Sequence, residues 1–167
     1  MTIQRRFLVA AGAATLLAGC GFRLRGVPSF AFNTIFVNGP ENSPLVNELR
    51  QQISSSGTVQ VIREAGRAPE AQVVLDIISE QREKVVVGLS ASGQVREFQL
   101  RTRLKFRLRT PQGKELIAET ELLQQRDISF SESAVLSKEA EEGLLYRTMQ
   151  SEIVQQLMRR LAAIKSL

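Results

Sequence analysis

Arg101, Arg103, Lys105, Arg107 and Arg109 recur at every second position of one short stretch. Between them stand Thr102, Leu104, Phe106 and Leu108, so the pattern alternates polar with mostly apolar from Val95 to Arg109. Alternation of this kind predicts a strand with one buried and one wet face. On that strand the cations would stand about 6.6 Å apart and repel one another unless something anionic compensates. A guanidinium fork donates two parallel hydrogen bonds and so suits a phosphate. The chemistry these five residues could do is therefore capture of a phosphorylated or otherwise anionic partner.

Cross-strand pairing is the competing account. Thr110-Pro111-Gln112-Gly113 fits a type I turn, and pairing Thr110 with Lys114 puts Arg109 opposite Glu115, Lys105 opposite Glu119 and Arg103 opposite Glu121. Opposite charges facing each other stabilise a sheet by roughly 0.2–1 kcal/mol per pair. Arg107 then faces Ile117 and Arg101 faces Leu123, and one register of the preceding strand sets Glu80 beside Arg101. Arg107 is left as the cation least accounted for. A self-paired face and an anion site both stay open on the residues alone. Nucleic acid is disfavoured as a partner, because Phe98 and Phe106 lie on the opposite face and no aromatic flanks the cations for base stacking.

The other residue with chemistry is Cys20, the chain's one cysteine. Arg5 and Arg6 precede the apolar run Phe7 to Leu17, and Ala18-Gly19 lead into Cys20. A charged segment, an apolar segment and small residues in that order make a signal peptide, and the run is too short for the ~20 residues of a membrane span. Leu17-Ala18-Gly19-Cys20 resembles a bacterial lipobox. The resemblance implies cleavage before Cys20 and acylation of its sulfur and new N-terminus, leaving a domain tied to a membrane by lipid. Arg5-Arg6-Phe7-Leu8 is also similar to a twin-arginine export signal, but no residue separates Arg6 from Phe7.

Absences narrow the function further. There is no His and no Trp. Ser-His and Cys-His nucleophile activation are excluded, and ordinary zinc sites lack their ligands. No phosphate loop of the GxxxxGK[ST] type occurs. The expectation is a protein that is not an enzyme and carries no cofactor or metal. The formal charge of +5 falls to +3 once Arg5 and Arg6 leave with the signal. That is too small an excess for a general nucleic-acid binder.

Apolar residues at 43% and charged residues at 23% are ordinary for a globular domain, and Cys20 to Leu167 suffices for one core. We expect a signal peptide over residues 1–19, a lipidated linker over 20–33 and a single domain over 34–167. Thr34–Val37 reads as a first strand. Ser43 caps a helix with Pro44 at its first position and Leu45, Val46, Leu49 and Ile53 on one face. Val59–Ile62 is a short strand and Gly66–Glu70 a loop. Ala71–Val87, Val95–Arg109 and Glu115–Gln125 are long strands, with a flexible turn over Gly88–Gly93. A final helix runs from near Ser137 to Ile164, with Leu145, Met149, Ile153, Leu157, Leu161 and Ile164 in one stripe. Glu139, Glu141 and Glu142 near its start and Arg159, Arg160 and Lys165 at its end complement the helix dipole. The order β-α-β-β-β-β-α predicts an α+β fold, a mainly antiparallel sheet of four to five strands with both helices on one face.

Three segments resemble the LptE family of LPS-assembly lipoproteins. Cys20-Gly21-Phe22-Arg23-Leu24-Arg25-Gly26 is similar to that family's CGFxLRG start at the lipidated cysteine. Residues 134–142, AVLSKEAEE, are similar to its AVLAKExEE opening of the last helix, with Ser137 in place of the usual Ala. Gln155-Gln156-Leu157-Met158-Arg159-Arg160-Leu161 is similar to its QQLxRRL ending. The resemblance implies a non-enzymatic protein at the inner leaflet of the outer membrane. There it would plug the LptD β-barrel, help insert LPS into the outer leaflet, and could bind LPS phosphates through an arginine-bearing face. Gly21 after Cys20, where an aspartate would imply inner-membrane retention, favours the outer membrane. The alternative is an auxiliary lipoprotein of a lipid-transport ABC system.

Overall fold

The computed structural model describes residues 29–167. The expected signal peptide and Cys20 lie outside the described residues, as does the expected linker up to residue 28.

Five strands and two long helices occur in the order expected: β1 (Thr34–Asn38), α1 (Pro44–Ser55), β2 (Gln60–Ile62), β3 (Val73–Leu89), β4 (Val95–Arg109), β5 (Glu115–Ser129) and α2 (Val135–Ala162). One sheet has the strand order β2-β1-β3-β4-β5. β1 is parallel to both β2 and β3, while β3, β4 and β5 are antiparallel neighbours. The sheet is thus mixed. Its short parallel part holds α1 as the crossover a parallel pair requires, and its long part is a three-stranded meander.

Local sequence accounts for the elements. The Ser43 hydroxyl accepts from the Val46 amide at 3.1 Å, and Pro44 occupies the first helical position. Leu45, Val46, Leu49 and Ile53 are all buried. The β4–β5 turn closes with Gly113 N donating to Thr110 O at 2.9 Å, Thr110 pairing with Lys114 and Gly113 at φ 96°, a conformation glycine tolerates best. The β3–β4 turn uses the same device four residues wide. Gly93 N donates to Ser90 O at 2.9 Å, so Gly88 and Leu89 belong to β3 and the expected longer flexible turn is tight. Residues 65–70 form a 3-10 segment where a loop was expected.

α2 begins at Val135, two residues before the expected Ser137, with no side-chain cap and no acidic residue in its first turn. Its expected carboxylates come a turn later. Met149, Ile153, Leu157 and Leu161 are fully buried, and Leu145 and Ile164 partly so.

Both helices cover the same face. The main core joins Leu45, Leu49, Ile153, Leu157 and Leu161 to Ile35, Val37, Val73, Leu75, Leu104, Phe106 and Leu108. The strand residues in that set alternate, so one sheet face receives both α-helices, while Phe36, Ile62 and Val74 on the other face pack with Ala71 and with Ala68 of the 3-10 segment. A second cluster of Leu100, Ile128 and Met149 continues the core outward. β3 spans 17 residues, about 55 Å at ~3.3 Å each, and its last part outruns the core. Val86, Val87 and Leu89 are 44%, 47% and 62% exposed there. Phe32, buried in the main core, with Phe30 against it, brings the N-terminal chain in at the opposite end. The domain therefore has a base, where the chain enters, and an apolar tip.

A bulge in β3 divides the strand. Ile77 pairs with Phe106 and Ser79 with Lys105, leaving Ile78 unpaired and 44% exposed. Before it Val73, Leu75 and Ile77 face the helices. After it Glu80, Arg82 and Lys84 do, meeting Ser43, Gln150 and Glu142 respectively.

Candidate functional site

β4 carries all five cations on the face away from the helices, as the alternation requires, while Leu100, Thr102, Leu104, Phe106 and Leu108 are buried on the other. Each cation has a carboxylate close by. Asp76 Oδ2 accepts from Arg107 Nε at 2.9 Å and Arg109 Nε at 2.8 Å, and its Oδ1 accepts from Asn38 Nδ2 at 2.9 Å. Glu83 lies 3.5 Å from Arg103 and 4.0 Å from Arg101. Glu121 accepts from Arg103 at 3.0 Å and lies 3.9 Å from Lys105. Arg101 also donates to Gln99 at 2.8 Å, and Gln99 in turn donates to Asp127 at 2.9 Å.

Asp76 is the centre of this arrangement and only 6% exposed. Burial pushes its carboxyl up, but the hydrogen bonds from Arg109, Asn38 and Arg107 outweigh that and hold it at about 2. The outer pairs are half-exposed and shared between neighbours, the class that contributes about 0–1 kcal/mol each. Lys105 is the most loosely held of the five. Its single carboxylate is distant and already serves Arg103.

The sheet thus meets the helices on one side and carries an ionic lattice on the other. A sequence model of the LptE family, described as lipopolysaccharide-assembly, matches residues 32–161. The chain belongs to the LptE family. It is 28% identical to the LPS-assembly lipoprotein LptE of Pectobacterium atrosepticum over 96% of this chain and 87% of that protein. The solution NMR structure of an uncharacterized lipoprotein B from Nitrosomonas europaea is 33% identical, with a TM-score of 0.73 over 86% of this chain and 91% of that one. Rare lipoprotein B from Shewanella oneidensis, at 20% identity and a TM-score of 0.65, covers 78% of this chain and 95% of its own and shares the fold. LptE is a family of LPS-assembly lipoproteins and not of enzymes. Its fold is the α+β arrangement expected from the sequence.

Within this LptE-family domain the registers differ from the simplest ones. Arg109 does pair with Glu115, but Lys105 pairs with Glu121, Arg103 with Leu123 and Arg101 with Gln125. Two extra residues in β5, between Glu115 and Thr120, shift the ladder by two places. A shift of two keeps every side chain on its own face, so the cations stay where alternation puts them and change partners. Across β3, Glu83 and not Glu80 sits beside Arg101. The Ile78 bulge turns Glu80 to the helix side, where it accepts from the Ser43 hydroxyl. Arg107, the cation without a partner on sequence, is held by Asp76.

Asp76 was not singled out by spacing, but its setting carried a signal. It is a lone carboxylate inside Val73-Val74-Leu75-Asp76-Ile77-Ile78, and a charge in such a run needs a partner. Among the described residues no group of three His, Cys, Asp or Glu side chains is placed to hold a metal. Among the same residues no helix is long and apolar enough to cross a membrane.

Proposed function

We propose that this LptE-family lipoprotein is anchored through acylated Cys20 to the inner leaflet of the outer membrane. There it plugs an LptD-like β-barrel and assists LPS assembly, with the β4 cations turned towards LPS phosphates. The observation that carries the reading is the tip. Val85, Val86, Val87 and Leu89 of β3 are exposed on a hairpin that outruns its own core, and Leu136 and Leu144 of α2 are 83% and 58% exposed near it. Exposed apolar side chains gathered at one end of a domain mark an interaction site. The walls of a barrel lumen would cover both faces of such a hairpin. Gly21 after Cys20 supports the outer membrane.

The LPS part of the reading draws on the loosest cations, Arg101 and Lys105. A phosphate arriving there competes only with shared, solvent-screened carboxylates, whereas Arg107 and Arg109 would have to leave a buried one.

Pull-down of the tagged lipoprotein from detergent-solubilised membranes, with mass spectrometry of the co-purified proteins, tests the proposal. One large outer-membrane barrel at near-equal stoichiometry is the expected result. Recovery of an inner-membrane ABC permease in its place would refute it. For LPS, Arg101→Glu with Lys105→Glu should weaken binding in a salt-sensitive way, and unchanged binding by the folded double variant would remove the β4 face from the proposal.

A further inference from the structure

The tip is not the only unpartnered surface. At the base, Arg159, Arg160 and Lys165 are exposed at the end of α2, and Lys114 is exposed on the β4–β5 turn. None of these four takes part in an ion pair among the described residues, while every cation on the open sheet face does. Their location is a result of the packing. Tyr146 of α2 bonds to Glu83, Gln150 to Arg82, and Leu161 and Ile164 join the cluster of Phe30 and Phe32. α2 thus runs from the tip to the base and delivers its last turn where the N-terminal chain enters.

The helix dipole explains only part of this charge. Arg159 and Arg160 lie in the last turn of α2, where cations offset the exposed carbonyls. Lys165 lies beyond the helix end at Ala162, and Lys114 belongs to a different element. The dipole effect does not extend to them.

Chain length fixes what this surface can meet. Ser29 is nine positions from Cys20, so a tether from an acylated Cys20 reaches at most about 30 Å. From its placement and its charge we infer that the base is a second membrane contact. Its cations rest on the anionic phospholipid headgroups of the leaflet that holds the lipid anchor. The inference rests on the lipid-anchored reading of Cys20. A cluster of cations beside a lipid anchor is the combination that turns weak attachment into firm attachment. It would also point the apolar tip away from that leaflet, so the tip stays free for a protein partner.

The test uses the mature chain from position 20 with Cys20→Ala, which carries no acyl chain, and vesicles of phosphatidylcholine with and without phosphatidylglycerol. The chain should co-sediment with the anionic vesicles and be released by added salt. Each cation near an anionic surface contributes about fivefold. Arg159→Gln, Arg160→Gln and Lys165→Gln together should therefore lower the partition coefficient roughly hundredfold. Arg101→Gln with Lys105→Gln, on the opposite sheet face, should change it by less than about twofold. Equal binding to neutral and anionic vesicles would overturn the inference, as would a folded triple variant that binds like the parent. Either result would leave the anchor reading standing. That reading is tested separately by the mass of the N-terminal peptide from membrane-extracted protein, where an unmodified Cys20 would sink it.

Discussion

Replacing Asp76 by Asn tests whether the cationic face is internally neutralised. The substitution keeps the side chain's size and removes its charge. Two guanidiniums that now share one carboxylate oxygen, at 2.9 and 2.8 Å, would be left facing a neutral amide. Holding the carboxyl at about 2 against an ordinary 3.8 corresponds to about 2.5 kcal/mol at ~1.36 kcal/mol per pKa unit. Asp76 is almost fully buried, so solvent screening takes little from that figure. The folded-state pKa is depressed, so this stability is fully present above the unfolded value near 3.8 and is lost as pH falls towards about 2. Roughly half of it is gone by pH 3. Urea unfolding followed by far-UV circular dichroism reads the effect. With a slope of ~2 kcal/mol/M, the variant's midpoint at pH 7 should fall by about 1 M. The gap between parent and variant should narrow at pH 3, because the parent loses what the variant never had. A variant within about 0.5 kcal/mol of the parent at pH 7, or two parallel pH profiles, would refute the pairing. Arg107 and Arg109 would then count as free cations on the open face.

Ser43→Ala removes both the cap of α1 and the partner of Glu80. It should cost about 1–2 kcal/mol in thermal unfolding, and a loss of only a few tenths would mean the cap is dispensable. Phe106 is fully buried in the main core. Phe106→Ala should cost ~3–5 kcal/mol by chemical denaturation, and a cost below about 1.5 kcal/mol would contradict its assignment to the helix-covered face.

The fold was largely legible because its signals are local and redundant. The alternation from Val95 to Arg109 specifies both the strand and its two faces, and β4 has those bounds. The Ser43-Pro44 start and the Leu45, Leu49, Ile53 stripe specify α1 in the same way. What the sequence hid was register. Bulges leave no compositional mark here: Ile78 looks like any β-branched residue of a strand, and nothing in Leu116 to Glu119 announces two unpaired residues. Ion partners depend on register to the single residue, so Arg107 and Glu80 were assigned to the wrong neighbours while their strands were found. The sheet's parallel part was equally silent, because β1 and β3 are far apart in the chain and pair through backbone atoms that carry no side-chain signature. The apolar tip was visible as Val85-Val86-Val87-Gly88-Leu89, but only packing distinguishes a buried apolar strand end from an uncovered one.

The bulge at Ile78 makes β3 two half-strands written in opposite phase. Because Ile78 is the one extra residue at this bulge, deleting it would leave a regular ladder and not a frameshift. Ser79 would follow Ile77 opposite Lys105, Glu83 would keep its place beside the arginines, and Arg82 and Lys84 would keep Gln150 and Glu142. The phase change is thus a property of the residue count and not of the partners. Variation in length should therefore be tolerated at Ile78 as it is at the hairpin turns, the places where the strand can lose a residue and both sides of the sheet keep their addressees.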